Sequence, residues 1–353
     1  MLFFELLYPY YLPQYLPVAK EWQARGGEVR FVCHYIDPEL MPGYRQTLAA
    51  TGIEVFWVNG AEEVEALCHQ HQPDWFIFGN TQQHFSAIPD ATKVALMQHG
   101  IGPKACYFDM PKGRVDVRFV EGEHRLRQLQ ARYPKHRFVD TGYAKLDSIV
   151  NADNGESLTQ TLGLDAAKPT LLYAPTFFPS SIEALPLDFP QYLSAYNLII
   201  KPHYFSLTKK RYRNQSKRLH DWAKSPNVHL VPVADQDITT YMSVADLLVS
   251  DASSTLLEFA ALDKPVIWCD FYHLRWTYRG PLKFRLKQRM APELNQYKPL
   301  ATVVERPGEL ADAIAHQLAN PSQLRDVRHS LTSQLVGRVD GQCSHRVVDC
   351  LLS

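Results

Sequence analysis

The stretch "ADLLVSDASSTLLEFAALDKPVIWCD", residues 245–270, decides the fold. It opens on an apolar run, Leu247-Leu248-Val249, and turns through the polar Asp251, Ser253, Ser254 and Thr255. A helical segment carrying Glu258 follows, and a second apolar run, Val266-Ile267-Trp268, closes it. Short apolar runs bounded by polar turns read as strands, and strands apolar throughout are covered on both faces. Strand, helix, strand therefore predicts a parallel α/β unit.

The same rhythm extends outward. "TLLYAPT" (170–176), "YNLIIKPH" (196–203) and "NVHLVPV" (227–233) precede it as strand candidates. In the N-terminal half, "EVRFVCHY" (28–35), "IEVFWVN" (53–59), "DWFIFGN" (74–80), "TKVALMQ" (92–98) and "VRFVEG" (117–122) read likewise. "LPVAKEWQARG" (16–26) and "AEEVEALCHQH" (61–71) are helical candidates between them. A polar stretch over 151–170 interrupts the pattern. With 353 residues against ~100–200 per domain, two α/β domains are expected, over 1–155 and 156–335, with a C-terminal helix over 336–353.

Composition removes several classes of function. Hydrophobic residues are 46% and charged residues 21%, a globular balance. Lys+Arg and Asp+Glu both number 37, so no net field draws in nucleic acid, and no nucleic-acid partner is expected. The first 22 residues are apolar but carry Glu5 and Pro9, Pro13 and Pro17, and lack a basic start, unlike a leader peptide. No run of ~18 apolar residues is present, so no membrane-spanning helix is expected. Six scattered cysteines without a C-x-x-C pair predict reduced thiols and a cytoplasmic chain.

Neither G-x-G-x-x-G nor G-x-x-x-x-G-K-[ST] occurs. Ligands of doubly wound sheets sit beyond the carboxyl ends of the strands, so the residues just after each strand are the candidates. Four such ends are unusual: Gln98-His99-Gly100 with Lys104, Tyr173-Ala174-Pro175-Thr176, Lys201-Pro202-His203, and Asp251 to Thr255. A helix opening on Ser253, Ser254 and Thr255 offers N–H groups and hydroxyls to a phosphate, with Glu258 available to ribose hydroxyls. An ordinary N-cap by Asp251 or Ser253 is the competing reading. His203, beside Lys201, can donate to a second phosphate oxygen without a metal. His99, with an ordinary pKa near ~6.5, suits general-base work, and Gly100 allows close approach and a positive φ.

In this order the motifs resemble the CDP-glycerol glycerophosphotransferases of teichoic acid synthesis. His99-Gly100 through Lys104 matches the family's W-H-G-x-x-x-K loop, with Gln98 in place of tryptophan. "YAPT" recurs at 173–176, His203 follows the next strand, and Asp251-Ala252-Ser253-Ser254 matches D-Y-S-S with Ala252 for tyrosine. "GYAKLD" (142–147) echoes G-x-P-R-x-D, and Asp340, Gly341, Ser344 and Arg346 match the closing D-G-x-x-S-x-R. The resemblance implies a GT-B fold: two Rossmann-like α/β/α domains whose mostly parallel sheets face an interdomain cleft, acceptor on the N-terminal side and nucleotide donor on the C-terminal side. It implies His99 and His203 as catalytic residues. Thr176, Lys201, Asp251, Ser253, Ser254, Thr255 and Glu258 would bind the donor, and Gly100 and Lys104 would support. His99 would deprotonate a hydroxyl of a cell-surface glycan or lipid-linked acceptor, which attacks the β-phosphate of a CDP-activated donor. Protein donors would stand in for Mg²⁺, so no metal and no resident cofactor are expected. Glycerol phosphate is the expected group, with ribitol phosphate or a sugar as alternatives.

Weaker signals complete the reading. Asp235-Gln236-Asp237 is a D-x-D, expected to cap the following helix rather than hold metal. Cys68, His69 and His71 lack a fourth ligand at metal spacing. The basic stretches 209–218 and 275–289 suggest contact with an anionic inner leaflet, placing the chain peripherally on the membrane. Two rivals stay open: a nucleotide-sugar glycosyltransferase or epimerase-like enzyme on the same architecture, and a catalytically silent binding protein.

Overall fold

Each apolar run named above forms a strand. The computed structural model describes residues 1–102, 105–152, 156–251, 253–274, 280–283 and 297–353. The chain divides into two units, Met1–Asn151 with Ala234–Asp237 and Ser333–Ser353, and Ala152–Val233 with Ile238–Thr332.

The first unit holds β1 (Leu2–Leu6), β2 (Val29–His34), β3 (Glu54–Val58), β4 (Trp75–Phe78), β5 (Lys93–Met97), β6 (Val117–Val120) and β7 (Phe138–Asp140). They pair in parallel in the order β3-β2-β1-β4-β5-β6-β7. Successive side chains of a strand point to opposite faces, and the two cores follow that alternation. Leu2, Phe4 and Leu6 join Phe31, Cys33, Ile77 and Met97 under helices Leu12–Ala24 and Cys343–Leu352. Phe3, Val32, Phe76, Phe78, Val94 and Leu96 face the other way, against Val64 and Cys68 of helix Ala61–His71.

The second unit holds β8 (Thr170–Tyr173), β9 (Asn197–Ile200), β10 (Val228–Leu230), β11 (Leu247–Ser250), β12 (Val266–Cys269) and β13 (Thr302–Val304). Their order is β10-β9-β8-β11-β12-β13, again parallel. Leu171, Tyr173, Leu198, Ile200, Leu247, Val249 and Ile267 pack against Phe189, Leu219, Trp222 and Ile314. In both sheets the order reverses beside the first strand, at β1/β4 and at β8/β11. Those are the points where doubly wound folds open a crevice.

Several elements depart from the sequence reading. Residues 2–6 form a central, fully buried strand, Glu5 included. The first helix begins at Leu12 and runs through Pro17, which supplies no N–H to the ladder. The edge strands β7 and β13 have three residues each, too few for a periodic signal. The Asp235 carboxylate accepts the N–H of Asp237 at 3.0 Å. Cys68 is a core residue, His69 bonds the Ala87 carbonyl at 2.8 Å, and His71 stacks on Phe56. Among the described residues no three His, Cys, Asp or Glu side chains gather to hold a metal, and no helix is long and apolar enough to cross a membrane.

Candidate active site

In the first unit the site grows from the ends of β4 and β5. Gly79, just past β4, offers a carbonyl that accepts both the His99 backbone N–H at 3.2 Å and Nδ1 of its ring at 2.6 Å. A carbonyl only accepts, so Nδ1 carries the proton, and Nε2 bears the lone pair of the neutral ring. That is the tautomer a general base at Nε2 needs. Gly79 is required sterically: a Cβ there would lie 2.1 Å from the Tyr15 hydroxyl and 3.2 Å from the Met97 carbonyl. Aromatic rings surround the imidazole. Tyr11 stacks on it with centroids 4.2 Å apart, and Tyr143 donates its hydroxyl to the His99 carbonyl at 3.0 Å.

The loop beyond His99 is tied down from beneath. Arg118, a fully buried residue of β6, donates to the carbonyls of Tyr107 and Asp109. Burial, and then the neighbouring Arg125, lowers its pKa to about 10, which still leaves it charged at neutral pH. Arg125 bonds the carbonyls of Gly102 and Tyr107 and pairs with Glu121 at 2.6 Å. Gly100 is a glycine for a different reason from the one expected. Its φ is not positive; instead a Cβ would meet the Tyr107 hydroxyl at 2.8 Å. Lys104 lies outside the described residues.

In the second unit the predicted donor residues meet at the β8/β11 switch point. The Lys201 N–H reaches the Tyr173 carbonyl at 2.9 Å and the His203 N–H reaches the Pro175 carbonyl at 3.1 Å, setting the two turns side by side. Nδ1 of His203 accepts the Phe205 N–H at 3.2 Å, so its proton sits on Nε2. His203 thus has the tautomer opposite to that of His99 and can donate from Nε2. Phe177 and Tyr204 flank its ring at 4.6 and 5.0 Å. Lys201 lies 5.8 Å from the Tyr241 ring.

Asp251 has no exposed surface. Its carboxylate accepts the Thr176 N–H at 2.6 Å and both the N–H and hydroxyl of Ser181 at 3.0 Å. It clamps the Tyr-Ala-Pro-Thr turn onto β11 and does not cap the helix. Burial pushes its pKa up to about 6 despite those hydrogen bonds. Ser253, Ser254 and Thr255 are half-buried at the start of the six-residue helix Thr255–Ala260. Ser253 Oγ accepts from the Thr255 N–H at 3.3 Å and the Thr255 hydroxyl at 3.0 Å. Glu258, 1% exposed, sits within the unit rather than at its surface. Ala252 lies outside the described residues.

Two further motif segments, 142–147 and 340–346, meet each other in the first unit. Asp147 receives the N–H groups of Cys343 and Ser344 and the Ser344 hydroxyl, capping the last helix. Arg346 pairs with Asp340 at 2.9 and 3.0 Å and bonds the Thr141 carbonyl. These residues fasten the chain end to the first unit. A family model describing CDP-glycerol:poly(glycerophosphate) glycerophosphotransferase matches residues 94–353, a span that contains both histidines and all four turns. The chain belongs to that family.

Relatives of this glycerophosphotransferase-family chain agree. It is 31% identical over 134 residues to the teichoic acid glycerol-phosphate primase of Bacillus spizizenii, a match covering 37% of this chain. The matched part spans about a third of that relative, 33% of its length. Among solved structures, the wall teichoic acid polymerase TagF superposes with a TM-score of 0.69 at 15% identity, covering 100% of this chain and 88% of the other. A putative UDP-N-acetylglucosamine 2-epimerase from Listeria monocytogenes follows at 0.66 and 14%, covering 100% and 95%. At such identities the likeness is one of fold, the GT-B arrangement of two Rossmann-like sheets. Sequence reading singled out the two histidines as candidates. It missed Gly79, Tyr11, Arg118 and Arg125, for which only the arginine inside the apolar "VRFV" was a signal.

Proposed function

We propose that this chain transfers glycerol phosphate from a CDP-linked donor to a hydroxyl of a glycan or lipid-linked acceptor. The observation that carries the reading is the 2.6 Å bond from His99 Nδ1 to the Gly79 carbonyl, which makes Nε2 the basic nitrogen in a member of this family. Nε2 takes the acceptor's proton, the acceptor oxygen bonds the β-phosphorus, and the bond from that phosphorus to the CMP oxygen breaks. Charge then grows on the leaving phosphate, where fixed donors matter most. His203 Nε2–H, Lys201 and the hydroxyls of Ser253 and Ser254 supply them in this reading, while the N–H and hydroxyl of Thr176 and the hydroxyl of Thr255 are taken up by Asp251, Pro179 and Ser253 in shaping the turns. Asp251, fully buried, holds the Tyr173–Thr176 turn from below. The reaction as proposed uses no metal or resident cofactor, which EDTA-insensitive turnover would support.

A basic face supports a location on an anionic membrane surface at the cytoplasmic side. Lys209, Lys210, Arg211, Arg213 and Lys217 are exposed around helix Arg213–Trp222. Of the second basic stretch, 275–289, only residues 280–283 are described.

The test is CMP release from CDP-glycerol with a glycerol-phosphate-primed acceptor. His99→Asn is expected to lower kcat by ~10²–10⁴ and His203→Asn by ~10²–10³. Turnover indifferent to both substitutions overturns the mechanism. Thermal stabilisation by UDP and not by cytidine nucleotides overturns the donor assignment and favours a nucleotide-sugar enzyme.

A further inference from the structure

We propose that Tyr11 is a positioning residue for His99, holding the imidazole plane and stabilising its protonated form through the ring face. The inference deepens the proposed reaction and rests on His99 as the base. It reaches beyond the matched family region, which begins at residue 94.

The geometry is specific. The Tyr11 and His99 rings are 4.2 Å apart and within 6° of parallel. Tyr10 presents to the imidazole at 5.6 Å and 62°, and Tyr107 at 5.9 Å and 90°. Tyr11 has no exposed surface and is itself braced, crossing Tyr15 at 6.2 Å and 86° and Tyr10 at 5.2 Å and 67°. It stands on the short turn Pro9–Tyr11, directly after β1 at the switch point, where proline at the first position fixes the turn. The Gly79 carbonyl sets one edge of the imidazole and the Tyr11 face sets its plane, so Nε2 has a fixed direction.

The chemistry follows from charge. When the acceptor's proton arrives on Nε2 the ring becomes an imidazolium, and an aromatic face attracts a cation. Among the described residues, the titratable groups around it include Tyr10, Tyr11, Tyr107 and Tyr143, with Glu5 and Tyr15 behind Tyr11 and Arg125 behind Tyr107. Arg125 lies 5.8 Å from the Tyr107 ring and is paired with Glu121. Burial first, then Tyr10, Tyr15 and Glu5, pushes the Tyr11 hydroxyl well above its ordinary range, so it stays neutral while His99 titrates.

The experiment is an NMR titration of the full chain with isotope-labelled histidine, assigning His99 by its loss in His99→Asn. Tyr11→Phe is expected to leave the His99 midpoint in place. Tyr11→Leu is expected to lower it by about half a pH unit or more, and to shift the acidic limb of the kcat/KM profile equally. Should Tyr11→Leu not fold, fluorinated phenylalanines at position 11 keep the shape while draining the ring face. The midpoint should then fall with each added fluorine. A folded Tyr11→Leu protein, or a fluorine series, whose His99 midpoint matches wild type overturns the proposal. The titration needs no substrate, so absent turnover with CDP-glycerol refutes the proposed reaction without touching this result.

Discussion

Asp251→Asn separates the clamp from a donor-binding role and has a sign that can be worked out. In the folded chain the carboxyl is carried from 3.8 to about 6 by burial. At ~1.36 kcal/mol per pH unit, keeping Asp251 charged at neutral pH costs the fold ~3 kcal/mol relative to the protonated acid. A folded pKa raised above the unfolded value means the folded state binds the extra proton. The corresponding stability is fully present below 3.8 and is lost as pH rises through about 6. Asparagine has no such proton to bind. It also turns an amide NH₂ toward the Thr176 or Ser181 N–H, leaving a buried donor unpaired at ~1–3 kcal/mol. The net change at pH 7 is therefore small, but the gap must widen in favour of wild type as pH falls. Urea unfolding of both proteins at matched pH from 7 to 4, followed by circular dichroism, reads that gap. Other carboxyl groups titrate alike in both proteins and cancel. A widening of ~2.4 kcal/mol over that range supports the argument, whereas parallel stability curves refute the buried, proton-binding carboxyl.

Two other outcomes follow from contacts within the first unit. Gly100→Ala is expected to cost ~1–3 kcal/mol by overpacking against the Tyr107 hydroxyl, and most of that loss should return in Gly100→Ala/Tyr107→Phe, where the nearest ring atom is 3.5 Å away. Thermal unfolding of the single and double variants checks it; no rescue means the glycine is needed for another reason. Asp147→Ala removes the cap of helix Cys343–Leu352 and should weaken its attachment by ~2 kcal/mol. Hydrogen exchange of amides in 343–352 should then quicken roughly 30-fold, while β8 and β11 stay protected.

The alternation of apolar strands and helical segments was enough, by itself, to give two parallel α/β units. A strand buried on both faces must be apolar along its whole length, and that leaves a mark no surface loop imitates. The same logic put His99, Thr176, His203 and Asp251 at strand ends, where parallel sheets collect ligands. Leu2–Leu6 was read only against a leader peptide, although its alternation between two cores is as regular as that of any strand here. Tertiary structure alone decided what each polar residue does. Asp251 and Ser253 look alike in sequence as helix-start residues, yet one clamps a neighbouring strand's turn from full burial and the other stays half-exposed. Likewise two histidines after strands are indistinguishable until their Nδ1 atoms find a partner. A carbonyl at Gly79 and an N–H at Phe205 give them opposite tautomers, because a hydrogen bond at one ring nitrogen dictates the proton at the other.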